Sequence, residues 1–298
     1  MFVSGFVAVV GRPNVGKSTL INAMLGQKAL IVSSRPQTTR NRIRAVYTGE
    51  DAQLIFLDTP GIHNPRHRLG DYMLKAALGA LKEVDLILFL VEATGPPGAG
   101  DMKIALLLSE VKTPVLLVIN KMDMAVEDFN ERVLPLYREL LTCDGIFPVS
   151  ALQGQNLDPL RRAIIERMPA GPCYYPPGTV VDRPDEFLAA EIIREKILER
   201  TYEEVPHSVA VNINAMEVRR NGEMVLVRAE IFVEKDSQKK IIIGKGGGLL
   251  KQIGSDARQE LEKLLGSPVY LDLWVKVKKD WRKRDNILRQ LGYDEHYS

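Results

Sequence analysis

The sequence predicts an α/β domain, with a mostly parallel sheet flanked by helices, followed by a smaller α+β domain. The chain of 298 residues is long for a single compact core. Its first half alternates apolar runs with amphipathic stretches, which is typical of strand–helix units around a parallel sheet. A segment rich in proline and glycine, 168–184, separates this half from a different pattern. We therefore expect domains at 1–170 and 184–298, joined by a linker at 171–183.

The composition is that of a soluble globular protein, with 45% apolar and 26% charged residues. No apolar run approaches the ~20 residues of a membrane-spanning helix, and no basic region precedes the first apolar run, as a signal peptide would require. Cys143 and Cys173 lack the spacing of metal ligands, so we expect free thiols in a reducing cytoplasm. The net charge of +2 conceals basic segments at 35–44, 235–251 and 276–284, which can face a polyanion or simply be solvated.

Short apolar runs are the predicted strands of the first domain, and amphipathic stretches between them are the predicted helices. Most of these runs lack polar residues at alternate positions, as expected for parallel strands buried on both faces. The expected strands are 6–10, 45–48, 54–57, 86–91, 115–119 and 146–149. The expected helices are 17–25, 72–81, 101–109 and 158–168.

The region after the linker has the pattern of a small α+β domain of order α-β-β-α-β-α. Its expected elements are a helix at 187–201, strands at 209–218 and 224–234, a helix at 249–265, a strand at 269–277 and a basic helix at 281–290. Asn221 and Gly222, between the first two strands, are a hairpin-turn signal. Trp274 alternates with polar neighbours on its strand and is expected in the core, whereas Trp281 is expected to pack rather than to stack on a base.

Residues 11–19, GRPNVGKST, lie between an apolar run and an amphipathic stretch and have the pattern of a phosphate-binding loop. Gly11 and Gly16 allow backbone N–H groups to close around an anion, and the start of the helix adds its dipole. Lys17 reaches the terminal phosphates, while the Ser18 hydroxyl is a ligand for Mg²⁺. The candidate nucleotide-binding residues of this loop are Gly11, Asn14, Val15, Gly16, Lys17, Ser18 and Thr19.

The segment LDTPG, 57–61, follows another apolar run and supplies the next two candidate residues. Asp58 is placed to hold Mg²⁺ through water, and the Gly61 amide is placed to sense the γ-phosphate of a nucleoside triphosphate. Both motifs come after predicted strands, and ligands of an open α/β sheet bind at the carboxyl ends of its strands.

Two later motifs indicate that the base is guanine. In NKMD, 120–123, Asp123 can accept hydrogen bonds from the N1–H and the 2-amino group of guanine, neither of which adenine has. Lys121 can lie over the base plane, and the Ala151 amide of SAL, 150–152, can meet guanine O6. The candidate base-binding residues are Asn120, Lys121, Asp123, Ser150, Ala151 and Leu152.

With these motifs in order, residues 1–170 resemble a translation-factor-type P-loop GTPase domain. The resemblance implies GTP and GDP as ligands, Mg²⁺ as a cofactor and a switch threonine in PQTTR, 36–40. We favour Thr39 as the Mg²⁺ ligand in the GTP state and keep Thr38 as the alternative. The expected metal ligands are Ser18, Thr39 and Asp58, and the expected catalytic residues are Lys17, Asn14, Thr39 and Gly61.

Ile62 departs from the pattern of Ras-like GTPases, which carry at this place a glutamine that orients the attacking water. Isoleucine cannot hydrogen-bond to water, so we expect slow intrinsic hydrolysis or dependence on another group. In related GTPases, an asparagine at the place of Asn14 is associated with a monovalent cation that supplies charge in the manner of an arginine finger. Asn14 therefore has two interpretations, a contact for K⁺ or a residue that only shapes the loop.

A second glycine-rich loop, GKGG at 244–247, matches the GXXG loop of KH domains. The absent side chains allow a sugar–phosphate backbone to approach, Lys245 neutralises it, and such a loop holds about four nucleotides. An apolar helical turn at 241–243, a hairpin and several lysines accompany the loop, so the second domain resembles a type II KH domain. The candidate RNA-binding residues are Lys239, Lys240, Ile243, Gly244, Lys245, Gly246, Gly247 and Lys251.

The whole chain resembles the Era family of bacterial GTPases, through this domain pairing, DRPDEFLAAEIIREK after the linker, and IIIGKGG. The resemblance implies binding near the 3′ end of 16S rRNA, a role in small ribosomal subunit (30S) assembly and 16S rRNA maturation, and, in some members, peripheral contact with the cytoplasmic face of the membrane. Leu152 departs from the family pattern, in which lysine is commoner. We expect a monomeric GTP-driven RNA-binding switch; the alternative is a constitutive RNA-binding module that uses nucleotide as a structural ligand.

Overall fold

The computed structural model describes residues 1–62, 67–219 and 223–293. The N-terminal half of the chain is built on a six-stranded sheet of order β2-β3-β1-β4-β5-β6. The strands are β1 (Val3–Gly11), β2 (Ile43–Thr48), β3 (Ala52–Asp58), β4 (Leu86–Glu92), β5 (Val115–Asn120) and β6 (Gly145–Pro148). The pairings are parallel except that of β2 with β3. All six predicted strands are present, and the predicted mostly parallel sheet is confirmed.

Helices cover both faces of this sheet. They are α1 (Lys17–Leu25), α2 (Arg68–Gly79), α3 (Ala99–Leu108), α4 (Leu134–Leu140) and α5 (Leu157–Ile165). Alternate residues of β1 pack into the apolar cores on the two faces of the sheet, because successive side chains of a strand point to opposite faces. Val7 and Val9 pack in the layer of α1 and α5, whereas Ala8 and Val10 pack in the layer of α2, α3 and α4.

The short helix α4 is absent from the sequence-based prediction. It follows a π-helical turn at Phe129–Val133 and carries a proline in its first turn, where the missing N–H costs no helical hydrogen bond. Only Tyr137 of α4 is buried. The apolar periodicity of this segment is therefore too weak to reveal a helix.

Between the two domains the chain runs along the edge strand β2. The Val46 N–H donates to the Val180 carbonyl at 2.8 Å, and the Asp182 N–H donates to the Arg44 carbonyl at 3.0 Å. Gln53 also accepts a hydrogen bond from the backbone of this segment. The part that we propose as a linker, 171–183, is thus held against the first domain.

The C-terminal domain is built on a three-stranded sheet of order β7-β8-β9, in which β8 is antiparallel to β7 and parallel to β9. Its strands are β7 (Ala210–Arg219), β8 (Met224–Val233) and β9 (Val269–Val277). Its helices are α6 (Asp185–Arg200), α7 (Val205–Ser208), α8 (Asp236–Ile243), α9 (Gly248–Leu265) and α10 (Asp285–Gln290). The prediction missed α7 as well as the polar first turn of α8. The predicted hairpin turn at Asn221 and Gly222 lies outside the described residues.

Trp274 corrects the expectation that it belongs to the core, because it is 61% exposed. On β9, Leu273 and Val275 pack in the core with α6, α8 and α9, so Trp274 between them points to the opposite face of the sheet. An alternating pattern indicates which residues share a face but not which face is covered.

Trp281 is buried, and its Nε1 donates to the Ser208 carbonyl at 2.8 Å, which confirms that it packs. The predicted basic helix at 281–290 is wrong in its first half. A 3-10 turn at Trp281–Lys283 is separated from α10 by the extended residue Arg284.

In the described part of the chain, no helix has the length and apolarity needed to cross a membrane.

Candidate functional site

The phosphate-binding loop connects β1 to α1 near the middle of the sheet. Gly16 has a φ of 97°, and a Cβ there would lie 2.3 Å from Nδ2 of Asn120, so backbone conformation and space both require glycine. The loop borders an open cavity of ≈ 380 Å³, which the segment 31–39 closes on another side. The predicted residues that line this cavity include Asn14, Gly16, Lys17, Ser18, Thr19 and Gly61.

The Lys17 side chain folds back over the loop. Its Nζ donates to the carbonyl oxygens of Gly11 at 3.3 Å and Arg12 at 2.9 Å. Burial lowers the pKa of this ammonium group to about 8, although the nearby Asp58 carboxylate opposes the change. An anion that enters the cavity would therefore stabilise the charged form of Lys17.

Oxygen atoms of three predicted metal ligands converge beside Lys17. Asp58 Oδ2 accepts hydrogen bonds from Ser18 Oγ at 2.7 Å and Thr39 Oγ1 at 2.9 Å, and the two hydroxyl oxygens are 3.0 Å apart. Asp58 Oδ1 is buried without a hydrogen-bond partner, and burial raises the pKa of this carboxyl group against the effect of Ser18 and Lys17. Carboxylate and hydroxyl oxygens with an unpaired acceptor fit a hard divalent cation such as Mg²⁺.

The two threonines of PQTTR point in different directions. The Thr39 hydroxyl meets Ser18 and Asp58, whereas Thr38 Oγ1 donates to the Arg35 carbonyl at 2.6 Å. In this conformation the geometry therefore favours Thr39 over Thr38 as the metal ligand, and its role remains a prediction.

The guanine-directed motifs meet where β5 and β6 end. Asn120 joins them to the phosphate-binding loop, because its Nδ2 donates to the Val15 carbonyl at 2.9 Å and its Oδ1 accepts from the Ala151 N–H at 3.0 Å. Asp123 accepts a hydrogen bond from the Ser150 hydroxyl. Since the Ala151 amide already donates to Asn120, the predicted contact with guanine O6 would have to share this N–H.

The other two predicted base-binding residues differ in position. Lys121 lines the cavity, and its ammonium group forms an ion pair with Glu92 at the end of β4. Leu152 is 79% exposed and is not among the residues that line the cavity. The structure therefore brings Lys121, but not Leu152, to the nucleotide side.

Ile62 is buried in the apolar core, so its side chain does not border the cavity in the manner of a water-orienting glutamine. Asn14 lines the cavity and has a φ of 67°. Its Nδ2 donates to the Ser34 carbonyl at 2.8 Å. The amide of Asn14 thus lies beside a backbone carbonyl of residues 28–40, the threonine-bearing segment.

The GKGG loop joins α8 to α9 at the surface of the C-terminal domain. Gly244, Gly246 and Gly247 have φ values of 73°, 60° and 78°, which residues other than glycine rarely adopt. Lys245 between them is exposed. The loop therefore presents backbone and a single cation to solvent.

An open groove of ≈ 450 Å³ extends from this loop between α9 and β9. Of the predicted RNA-binding residues, Gly247 and Lys251 line the groove, Lys239 and Lys240 lie on α8 outside its lining, and Ile243 packs against the core. The lining residues that the sequence-based prediction missed are Leu250, Gly254, Ser255, Arg258, Leu271 and Leu273. In the sequence, these residues show only helical spacing along one face of α9 and alternation along β9. Any amphipathic helix or strand has the same pattern, so it does not reveal a groove.

The segment 28–40, which carries both threonines, also contacts the C-terminal domain. Arg40 is buried, and its guanidinium donates to the Val209 carbonyl at 2.6 Å. Arg194 of α6 donates to the Thr38 carbonyl, and Glu195 accepts a hydrogen bond from the Val32 N–H. These contacts were not predicted, because charged residues on a helix usually indicate a solvated face.

The class of protein follows from the fold, the two sites and a comparison with family models. Residues 6–121 match the family described as 50S ribosome-binding GTPase, and residues 204–282 match the KH domain family. The chain is thus a P-loop GTPase with a C-terminal KH domain, which confirms the predicted fold class.

The particular family follows from full-length relatives. The chain is 52% identical to GTPase Era of Heliobacterium modesticaldum, across 98% of this chain and 97% of the relative. It is 51% identical to GTPase Era of Staphylococcus haemolyticus, across 98% and 97% of the two chains. The chain belongs to the Era family of GTPases, and the predicted GTPase activity is confirmed.

Two solved structures are similar over the same length. One is Era in complex with MgGDPNP and nucleotides 1506–1542 of 16S ribosomal RNA, with a TM-score of 0.93 and 45% identity, covering 98% of this chain and 99% of that chain. The other is a tyrosine-to-alanine variant of Aquifex aeolicus Era bound to GDP and AlF₄⁻, with a TM-score of 0.92, 45% identity and the same coverage, 98% and 99%. The overall structure of the chain, with both domains included, is thus similar to that of these two Era proteins.

Proposed function

We propose that this protein is a GTP-driven switch that binds the 3′ end of 16S rRNA through its KH groove and assists 30S assembly and 16S rRNA maturation. The observation that carries the proposal is the similarity of the whole chain, at a TM-score of 0.93, to an Era structure that holds MgGDPNP and nucleotides 1506–1542 of 16S rRNA. The phosphate-binding loop and the GKGG groove supply one site for each ligand.

GTP and GDP occupy the cavity at the phosphate-binding loop. The loop amides and Lys17 bind the phosphates, and Asp123 selects guanine. Ser18 and Asp58, joined by Thr39 in the GTP state, hold Mg²⁺, which neutralises charge on the β- and γ-phosphate oxygens when it is bound. The unpaired Asp58 Oδ1 and the convergence of the two hydroxyls support this assignment.

Hydrolysis proceeds without a glutamine at Ile62, and K⁺ supplies charge beside Asn14. The Asn14 side chain lies next to the Ser34 carbonyl, and amide and carbonyl oxygens are suitable K⁺ ligands. The alternative is that Asn14 only shapes the loop.

Replacement of Na⁺ by K⁺ is expected to raise the rate of steady-state phosphate release in the wild type, and much less in Asn14→Asp. A wild-type rate that is the same in both salts contradicts a role for K⁺.

The groove between α9 and β9 takes single-stranded RNA. The glycines of the loop allow the sugar–phosphate backbone to approach, and Lys245 and Lys251 neutralise it over about four nucleotides. Leu271 and Leu273 offer apolar surface to the bases from the opposite wall. Loop geometry and groove shape support this binding mode.

GTP and RNA are coupled through the threonine-bearing segment. GTP with Mg²⁺ orders residues 35–44 and 58–68, of which 63–66 lie outside the described residues, and hydrolysis releases them. Besides the proposed linker, Arg40 and Arg194 offer a direct path for this change to the KH domain, since both bridge the two domains.

Binding of a 16S rRNA 3′-end oligonucleotide to the full-length protein tests the switch. With a non-hydrolysable GTP analogue, the affinity is expected to exceed that with GDP by at least about fivefold. Equal affinities contradict the switch and favour the constitutive RNA-binding module. Multiple-turnover release of phosphate then tests separately whether nucleotide is a substrate or only a structural ligand.

The protein works as a monomer in the cytoplasm, with peripheral contact to the cytoplasmic face of the membrane. Exposed lysines and arginines after β9 support attraction to anionic headgroups. Co-flotation with vesicles that contain anionic lipid is expected at low salt and not with neutral vesicles. The absence of flotation with either vesicle contradicts the membrane contact.

A further inference from the structure

Two consecutive residues of α6 hold the threonine-bearing segment from outside the GTPase domain. Arg194 Nη2 donates to the Thr38 carbonyl, and Glu195 Oε1 accepts from the Val32 N–H at 2.7 Å. Both residues are only 1% exposed. Hydrogen bonds between buried charged groups and backbone groups are stronger than neutral ones. Helix α6 therefore holds the backbone of this segment at Val32 and at Thr38.

The bond from Arg194 lies one peptide group away from the predicted metal ligand. The Thr38 carbonyl belongs to the planar unit that contains the Thr39 nitrogen, so the two move together. The Thr39 hydroxyl is in turn 2.9 Å from Asp58 Oδ2. Moving a group that takes part in a reaction by about 1 Å can lower the reaction rate on the order of 100-fold. The position of the Thr38–Thr39 peptide therefore affects the rate of GTP hydrolysis.

The Arg194 guanidinium is itself fixed in orientation. Glu191 accepts hydrogen bonds from its Nε at 2.7 Å and its Nη2 at 2.5 Å. Its Nη1 is buried without a hydrogen-bond partner. A buried guanidinium with an unpaired N–H stabilises a fold less than an apolar residue of similar size. The presence of an arginine at this buried position is therefore better explained by its bond to the Thr38 carbonyl than by packing.

The same helix also contacts α9, the helix that follows the GKGG loop. Lys28 Nζ donates to Glu195 at 2.5 Å and to Glu260 of α9 at 2.8 Å. Lys196 pairs with the same Glu260 at 2.6 Å. Because α9 begins directly after the GKGG loop, α6 contacts both the threonine-bearing segment and the helix that carries the RNA loop.

We propose that Arg194, a residue of the C-terminal domain, is a positioning residue for GTP hydrolysis. It fixes the Thr38–Thr39 peptide so that the Thr39 hydroxyl is available to Mg²⁺ in the GTP state. It acts through Thr38 and touches neither nucleotide nor metal. The proposal rests on the proposed role of Thr39 as a Mg²⁺ ligand, and it implies that GDP binding does not depend on Arg194.

The test compares full-length Arg194→Met with the wild type and with Arg200→Met. Arg200 lies on the same helix but pairs with Asp256 and is exposed, so its substitution controls for the loss of an arginine from α6 without loss of the Thr38 contact. The measurements are kcat, the Mg²⁺ concentration that gives half-maximal hydrolysis, and the Kd for GDP. In Arg194→Met, kcat is expected to fall and the half-saturating Mg²⁺ concentration to rise, each on the order of tenfold, with GDP affinity within about twofold of the wild type. Arg200→Met is expected to match the wild type.

Unchanged kcat and Mg²⁺ dependence in Arg194→Met overturn the proposal. Equal losses of GDP and GTP binding also overturn it, because general destabilisation produces that result. If circular dichroism shows that Arg194→Met is unfolded, Arg194→Lys decides, since lysine keeps the positive charge but lacks the second nitrogen, Nε, through which Arg194 holds Glu191, so its ammonium group is oriented less firmly toward the Thr38 carbonyl. A smaller shift in the same direction is then expected, and no shift overturns the proposal.

Thr39→Ala, measured in parallel, separates this proposal from the one on which it rests. If Thr39→Ala leaves the Mg²⁺ dependence unchanged, the metal role of Thr39 is wrong and the role of Arg194 is overturned with it. If Thr39→Ala changes the Mg²⁺ dependence and Arg194→Met does not, only the role of Arg194 is wrong.

Discussion

The nucleotide site and the RNA groove differ in how the protein holds its polar groups. At the nucleotide site, Lys17, Asp58 and Asn120 are buried, and each has hydrogen-bond partners in the phosphate-binding loop or at the start of α1. In the groove, Lys245 and Lys251 are exposed beside an open surface formed by one helix and one strand. The first site is organised before its ligand arrives, whereas the second supplies mainly charge and shape.

This difference matches the two ligands. A guanine nucleotide is small and presents a fixed set of donors and acceptors, so buried and oriented groups can distinguish it from a close analogue. An RNA strand is flexible and carries a charge on every phosphate, so accessible cations and a backbone without side chains are sufficient to hold it. We therefore expect substitutions at the nucleotide site to change which ligand binds, and substitutions in the groove to change how tightly it binds.

The largest effect is expected for Asp123→Asn at the nucleotide site. When the asparagine oxygen accepts from N1–H of the base, its NH2 group can donate to O2 of xanthine but faces another donor, the 2-amino group, in guanine. We expect GTP affinity to fall roughly 10³-fold and xanthosine triphosphate to become the preferred nucleotide. Calorimetric titration of both nucleotides into wild type and variant measures this change. A variant that still prefers GTP would show that Asp123 does not read the base.

A smaller effect, on affinity alone, is expected for Gly246→Asp in the groove. A Cβ at this glycine meets no atom within 4 Å, so the side chain fits, and Asp tolerates the φ of 60° better than most residues. Its carboxylate repels the phosphate backbone, and we expect RNA affinity to fall on the order of tenfold while GTP affinity stays unchanged. Gly246→Asn is the matched control, with the same shape and no charge. Equal losses in the two variants would indicate a steric cause instead of an electrostatic one.

The smallest effect is expected for Trp274→Ala, on the face of β9 opposite the groove. Because Trp274 is exposed, the free energy of unfolding in urea is expected to change by no more than about 0.5 kcal/mol. Trp281→Ala is the control, and the loss of this buried ring is expected to cost about 3–5 kcal/mol. A comparable loss in Trp274→Ala would mean that the covered face of the sheet has been assigned wrongly.

The two sites were also unequally predictable. The nucleotide motifs lie in short contiguous segments, and Gly16, Lys17 and Ser18 act through local backbone geometry that the spacing alone specifies. The GKGG loop could be predicted for the same reason. The walls of its groove could not, because Arg258 and Leu273 are distant in sequence and belong to ordinary amphipathic elements. The sequence favours Thr39 and keeps Thr38 as the alternative; the fold places the Thr39 hydroxyl beside Asp58, and its role as a metal ligand stays a prediction.

The order of residues is enough to predict that strands end in nucleotide-binding motifs, that a GXXG loop begins a helix, and that the two domains follow one another. Local chain stereochemistry and apolar periodicity are sufficient for these features. The folded chain was needed to show that Trp274 faces outward, that Arg194 meets the Thr38 carbonyl, and which residues line the groove beside the GKGG loop. These depend on which distant surfaces pack together and exclude water, and a pattern of neighbouring residues does not specify that pairing.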